Sequence, residues 1–226
     1  LDVLLAPGDE LLIRPEFSQT VEAGTRKRSR ILLDARMPLT SLASGLYNLV
    51  SVQPDEPQMV VVSATKDPLY EVALIEVTAD TPVVCKSRCI AGVLLPRNHA
   101  VRITRHWRLF SLHAWLTLQL RYLAFHGPCR LLVKGCRGIK IERCDKSRMI
   151  NQGLSLGFSA HADYATTRCE TFLSYLTGAE ALFNDRYSGQ TGFYFYEEAD
   201  HGRGSRGMTG RGIEGLLDAG LKMFGL

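Results

Sequence analysis

Ser159-Ala-His-Ala-Asp163 places an imidazole two residues from a carboxylate, a pair that could hold or serve a metal ion in a hydrolase. A two-metal centre needs a denser ligand set. His99, His106, His113, His126 and His201 each stand alone, and no His-x-His-x-Asp-His run occurs. Phe158, Ala160 and Ala162 alternate with Ser159, His161 and Asp163, which predicts a half-buried strand. A metal-dependent hydrolase at His161 and Asp163 is therefore a second alternative, not the leading expectation. His99, His106 and His113 recur at a spacing of seven, as on a helix, but His99 lies among turn residues and His113 in a strand pattern.

The chain has six cysteines: Cys85, Cys89, Cys129, Cys136, Cys144 and Cys169. Cys85-Lys-Ser-Arg-Cys89 is a single pair without a second pair or a nearby histidine, and the others form no Cys-x-x-Cys. No charged-then-apolar leader is visible, so the expectation is reduced, partly buried thiols rather than a disulfide framework or a zinc site. No residue is assigned a catalytic, cofactor-binding or metal-ligating role, and the expectation is a protein that is not an enzyme and carries no cofactor.

Basic and aromatic groups gather at Arg102, Arg105, His106, Trp107 and Arg108, and Arg26 to Arg30 adds what reads as a solvated basic loop. Such a face could follow a phosphate backbone and stack single-stranded bases. Acidic residues nearly balance basic ones, 23 against 27, and exposed arginine on strands also serves to block edge pairing. Nucleic-acid binding through Arg102, Arg105, Arg108 and Trp107 is thus the first alternative. Phosphate-cradling loops are not predicted: Gly202-Arg-Gly204 lacks the strand and helix that such a loop joins, and no Gly-Lys-Ser/Thr occurs.

The elements that would position these residues are strands. Pro7-Gly8-Asp9 splits two apolar runs and predicts a β-hairpin. Pro54 and Pro57 place a loop over 53–58, and Met59 to Ser63 and Val72 to Val77 are β-rich runs. Ile90 to Thr104 repeats the opening layout, with an apolar run, a turn at Pro96 and Asn98, and a strand. Ser111 to Tyr122 alternates with period two. Asp145 to Gly153 predicts a turn, Leu154 to Ala162 a strand, and Thr167 to Leu176 a strand or short helix. Gly178 to Tyr196, a glycine-punctuated turn leading to four consecutive aromatics at Phe193 to Tyr196, is echoed by Leu123 to Val133. Three units of about 60 to 80 residues are each small for an independent core, so they should pack on one another about a pseudo-threefold axis. His201 to Gly212 is a Gly/Arg-rich linker, and Ile213, Leu216, Leu217, Leu221 and Phe224 fall on one face of an amphipathic docking helix.

Phe158-Ser-Ala-His-Ala-Asp-Tyr164, Gly178-x-Glu-x-Leu-Phe183 and Ser188-Gly-Gln-Thr-Gly-Phe-Tyr-Phe195 resemble the family named after altered inheritance of mitochondria protein twenty-four. Leu5-Ala-Pro-Gly-Asp-Glu10 and Phe125-His-Gly-Pro-Cys129 through Gly138 are similar to turns of that family, whose bacterial members were long classed as a domain of unknown function. The resemblance implies three tandem short double-stranded β-helices like the tryptophan RNA-binding attenuation protein. The family often has Gly-Pro-Gly where Gly127-Pro-Cys129 and Gly189-Gln-Thr-Gly192 stand. Ile31 to Gln58 does not align. Eukaryotic members are linked to mitochondrial inner-membrane organisation, and bacterial members have no established reaction. Ser159 to Asp163 also resembles a motif of metallo-β-lactamase-type nucleases, without their other ligands.

The expected architecture is therefore all-β: β-sandwich units over 1–84, 85–143 and 144–200, followed by a linker and helix over 201–226. The leading functional expectation is a non-catalytic β-scaffold that self-associates and acts through protein or membrane-surface contacts. Leu109 to Leu120, the longest apolar-leaning run, is interrupted by polar residues and too short to span a bilayer, so a cytoplasmic location, peripheral to the membrane at most, is expected.

Overall fold

A computed structural model describes residues 1–21, 25–34, 36–38, 41, 46–64, 68–100, 102–107, 121–168 and 183–198, with only the backbone described at 87, 105–107, 121, 122, 168 and 183. The described chain is all-β, with antiparallel sheets and short 3-10 turns at Pro15–Phe17 and Ser87–Cys89. The first sheet has the order β1 (Asp2–Leu5), β6 (Gln58–Val62), β3 (Ser18–Thr20). The second runs β4 (Arg26–Leu32), β5 (Tyr47–Gln53), β2 (Glu10–Ile13), β9 (Ile90–Leu95), β12 (Cys129–Cys136), β7 (Tyr70–Val77). The third runs β10 (Arg102–Trp107), β11 (Arg121–His126), β8 (Val83–Cys85), β15 (Ser155–Ser159), β18 (Phe193–Glu197), β13 (Ile139–Arg143). The fourth is β14 (Arg148–Asn151), β17 (Phe183–Ser188), β16 (Asp163–Arg168). None of these sheets closes into a barrel.

The strand orders obey one rule. Adding six to each label of β4-β5-β2-β9-β12-β7 produces β10-β11-β8-β15-β18-β13. The same shift relates β4-β5-β2 to β16-β17-β14 through the third sheet, and β3-β6-β1 to β9-β12-β7 and β15-β18-β13. Irregularities repeat as well. A bulge skips Gln19 in β3, Ala91 in β9 and Leu156 in β15, each one residue after the strand begins. The turns before these strands carry matching hydrogen bonds, Phe17 N–H to Arg14 O, Cys89 N–H to Lys86 O and Leu154 N–H to Asn151 O.

Alternation along the strands sends side chains to both sheet faces, and the central strands are apolar on both. In β2, Leu11 and Ile13 join a cluster with Val3, Leu5, Val60 and Val62 of the first sheet, while Leu12 joins the cluster of Val83, Leu123, Phe125 and Phe195 of the third. A third, smaller cluster of Cys144, Ala162, Tyr187 and Tyr194 lies between the third and fourth sheets. At about 25 cal/mol per Å² of apolar surface, burial on two faces makes these strands the main source of stability.

Several expectations are corrected. Pro7-Gly8-Asp9 is a turn with Gly8 at φ +90°, closed by Asp9 N–H to Ala6 O at 3.0 Å, but it joins no hairpin: β1 pairs with β6, and β2 pairs with β5 and β9. It is a corner between two sheets, carrying β1 onto β6 so that Val3 and Leu5 pack against Leu11 and Ile13 of the second sheet. The turn at Pro96 and Asn98 follows β9 and so corresponds to the stretch after β3, not to Pro7-Gly8-Asp9. The basic loop at Arg26 to Arg30 is the edge strand β4, where exposed Arg26, Lys27 and Arg28 guard a free edge. Arg148–Asn151 inside the expected turn is β14, and the expected strand Leu154 to Ala162 ends at Ser159, after which the chain turns. Of Ser111 to Tyr122, residues 111–120 lie outside the described residues, and of Thr167 to Leu176 only Thr167 and Arg168 are described, in β16.

Candidate functional site

The structure puts Ser159, His161 and Asp163 around the β15–β16 turn, the first buried and the other two exposed. Ser159 is fully buried, and its Oγ accepts the Phe193 N–H at 3.0 Å, tying this turn to the start of β18. Gly192 sits opposite at φ +119°, and a Cβ there would lie 2.9 Å from Ser159 Oγ and from Ala162 N. His161 and Asp163 are exposed. Among the described residues no three His, Cys, Asp or Glu side chains converge as a metal site would require.

Cys85, Cys89, Cys129, Cys136 and Cys144 are buried free thiols, and Cys169 lies outside the described residues. Cys85 and Cys89 meet with Sγ atoms 3.1 Å apart, and Cys89 Sγ donates to Lys86 O. Burial pushes the Cys85 thiol well up, and that of Cys129 to about 11. Cys129 lines a half-open cleft of about 360 Å³ with Asp9, Glu76, Thr78, Pro96 and Arg130. A thiol so strongly protonated is a poor nucleophile at neutral pH.

Arg102 is exposed on β10, an edge strand, which also carries the backbone of Arg105 and Trp107; Arg108 lies outside the described residues. Ile213, Leu216, Leu217, Leu221 and Phe224, the expected docking face, lie outside them too. No helix among the described residues is long and apolar enough to cross a membrane. A half-buried cationic pair absent from the sequence reading sits where the second sheet meets the first 3-10 turn. Lys134 Nζ lies 5.6 Å from the ring centroids of Phe17 and Tyr70, and Arg14 is 3.8 Å from Glu16. Burial lowers the pKa of both cations.

The most organised polar group is one the sequence reading missed. Phe158 stacks on Tyr164 with centroids 5.1 Å apart, Tyr187 on Tyr194 at 4.9 Å, and Tyr194 on Tyr196 at 6.1 Å. Their hydroxyls end on two carboxylates. Tyr194 and Tyr196 donate to Glu142 at 2.5 and 2.8 Å, while Tyr164 donates to Asp185 at 2.9 Å and Tyr187 meets Ser155 Oγ at 2.6 Å. Asp185 is buried, and desolvation raises its pKa against the opposing pull of Lys86 and the hydroxyls. The Tyr194 and Tyr196 hydrogen bonds lower that of Glu142, and burial raises that of Tyr194. The Glu142 bonds lie within the third sheet and the Tyr164–Asp185 bond within the fourth, while the Ser155–Tyr187 bond and the Tyr187–Tyr194 stack join the two, so their chemistry is cohesion. The sequence shows the period-two placement of Asp185 with Tyr187 and of Tyr194 with Tyr196, but nothing in it joins them to Tyr164, Ser155 or Glu142.

Exposed apolar side chains occur on the six-stranded sheets, at Ile31, Tyr47 and Ile141, and on the two end sheets. Leu4 and Met59, directly paired on β1 and β6, are 63% and 50% exposed, and Met149 on β14 is 58% exposed.

No family model matches the chain, and no curated protein matches it. The crystal structure of protein SPYM3_0169 from Streptococcus pyogenes is similar, with TM-score 0.59 over 96% of this chain and 92% of that one, at 10% identity. At that identity the likeness is one of fold alone.

Proposed function

We propose that the chain is a β-scaffold that self-associates and works through protein contacts rather than through turnover. It is built of three tandem sandwich units, β1–β6, β7–β12 and β13–β18, in the short double-stranded β-helix arrangement about a pseudo-threefold axis. On this reading the second and third units begin with β7 and β13, earlier than residues 85 and 144. The six-strand shift and the thrice-repeated bulge support the repeat. The turn motifs at Phe158 to Tyr164 and Ser188 to Phe195 support membership of the altered inheritance of mitochondria protein twenty-four family.

One observation carries the scaffold reading: neighbouring units share six-stranded sheets, whereas the two end sheets have three strands each and present Leu4, Met59 and Met149 to solvent. Half-sheets with exposed apolar faces are interaction surfaces. Size-exclusion chromatography with light scattering tests this. Assemblies larger than the 25.1 kDa chain are expected at micromolar concentration, and a monomer throughout the accessible range would refute the proposal.

A further inference from the structure

We propose that Cys85 and Cys89 are a thiol pair that exchanges with a low-molecular-weight disulfide, closing a reversible Cys85–Cys89 bridge across the 3-10 turn Ser87–Cys89. The two Sγ atoms already touch at 3.1 Å, and both face the Lys86 carbonyl, which accepts the Cys89 Sγ–H at 2.7 Å and the Cys85 Sγ–H at 3.5 Å. The ordering that brings two sulfurs into contact has been supplied by folding, so the bridge forms from the native structure at little further entropic cost. Cys129, equally buried, instead points its Sγ at the His126 carbonyl.

Packing alone does not call for sulfur at these positions. The matching turn bonds, Phe17 N–H to Arg14 O, Cys89 N–H to Lys86 O and Leu154 N–H to Asn151 O, make Ile13 and Phe17, and then Ile150 and Leu154, the counterparts of Cys85 and Cys89. Both of those turns are closed by two apolar side chains, of which Ile13 and Phe17 are buried. Nor would the bridge act as a structural staple, since it encloses only Lys86, Ser87 and Arg88 and so removes little loop entropy from the unfolded chain. Reversible oxidation is the property that two cysteines bring to this turn and two apolar residues do not.

Cys89 exchanges first. It ends the turn beside exposed Arg88, and β9, which starts at the next residue, runs between β2 and β12. Arg14, just past β2, donates its N–H to the Ala91 carbonyl, and Lys134 follows Val133, which lies opposite Ile90. The half-buried cationic pair thus flanks Cys89. Burial lowers the pKa of both cations, and a negative charge at Cys89 acts on both in the opposite direction, so they attract a thiolate there. In the first step the Cys89 thiolate attacks one sulfur of the small disulfide, whose S–S bond breaks, and the departing thiolate takes up a proton. In the second, Cys85 gives up its proton and attacks Cys89 Sγ, releasing the other half of the reagent as a thiol. The two cysteines lose two electrons, and the reagent gains them as two thiols. Both S–H donors vanish, yet the Lys86 carbonyl keeps the Cys89 N–H at 3.2 Å, so no acceptor is stranded. The turn so fixed is the one that holds residues 152–156: Lys86 donates from Nζ to the Gln152 carbonyl and from its N–H to that of Leu156, and Arg88 reaches that of Gly153. Burial makes the exchange slow, because the turn must open to admit the reagent, without making its product less stable.

The test equilibrates the full chain at pH 8 in mixtures of reduced and oxidised glutathione, blocks free thiols, and reads tryptic peptides by mass. Cleavage after Lys66, Lys86, Arg88 and Arg97 places Cys85 on residues 67–86 and Cys89 on residues 89–97, so the bridge appears as two linked peptides that dithiothreitol separates. An equilibrium constant for the bridge at least about tenfold above that of the same chain in urea is expected. A bridge no more stable in the native chain than in urea, or Cys89 carrying glutathione at equilibrium without a linked partner, would overturn the proposal. Cys85→Ser should trap Cys89 as a mixed disulfide with glutathione, while Cys89→Ser should leave Cys85 unmodified; the reverse pattern would overturn the assignment of Cys89 as the first thiol. Lys134→Met should slow formation of the bridge at least about threefold and leave its equilibrium position unchanged, a split that a purely structural effect of the substitution would not produce, and an unchanged rate would remove the cations from the exchange.

Discussion

Removing one oxygen atom tests whether the tyrosine–carboxylate layer holds the last two sheets together. Tyr187 is 1% exposed, its hydroxyl lies 2.6 Å from Ser155 Oγ, and its ring stacks on Tyr194. Tyr187→Phe keeps the ring and the stack while leaving Ser155 and Asp185 short of a buried partner. An unsatisfied buried group costs about 1–3 kcal/mol, so a loss of about 2 kcal/mol is expected, a fall in Tm of about 4–8 °C for a chain of this length. Ser155→Ala removes the same hydrogen bond from the other side. The double variant should therefore lose less than the sum of the two, with a coupling of at least about 1 kcal/mol. Urea denaturation read by near-UV tyrosine circular dichroism is suitable, because four of the chain's eight tyrosines, at 164, 187, 194 and 196, lie in this layer. A midpoint shift at constant slope is the expected result. Losses that add to within about 0.3 kcal/mol, or a Tyr187→Phe effect below about 0.5 kcal/mol, would show that the hydroxyls are spectators.

Asp185→Asn should flatten part of the pH dependence of stability. Burial raises the pKa of Asp185 in the fold, so its contribution is full below the unfolded pKa of about 3.9 and is lost as pH rises through the folded value. The stability of the variant relative to wild type should grow as pH climbs from 4 and then level off; a difference independent of pH would refute this. Gly157→Ala should cost more than about 3 kcal/mol, since its Cβ would lie 2.4 Å from the Val84 carbonyl oxygen and from the Phe195 ring; a soluble variant with unchanged denaturation midpoint would show that β8 and β15 can part cheaply. In native protein at pH 8, Cys85, Cys89, Cys129, Cys136 and Cys144 should react with a disulfide reagent at least about 100-fold more slowly than in denaturant. Mass mapping of labelled peptides checks this, and rapid labelling of Cys129 would contradict its raised pKa.

Much of this protein was decided locally. Phe193 to Tyr196 and its echo at Leu123 to Val133 are legible because a turn followed by apolar strand residues leaves a pattern within a dozen positions, and β17–β18 and β11–β12 do correspond under the six-strand shift. The all-β class follows from the same period-two and turn signals. Pairing was not legible. Whether Pro7-Gly8-Asp9 makes a hairpin or a corner depends on β6 and β9, tens of residues away, and nothing at the turn records their competition for β1 and β2. The carboxylate sites were equally hidden: Glu142 is separated from Tyr194 by 52 positions and Tyr164 from Asp185 by 21, so no spacing motif could join them. Composition and alternation determined that these residues would form strands with a buried face. Only the tertiary structure decided which strands share a sheet and which edges stay open, because hydrogen-bonded pairing and face-to-face packing act between segments that the chain brings together only when it folds.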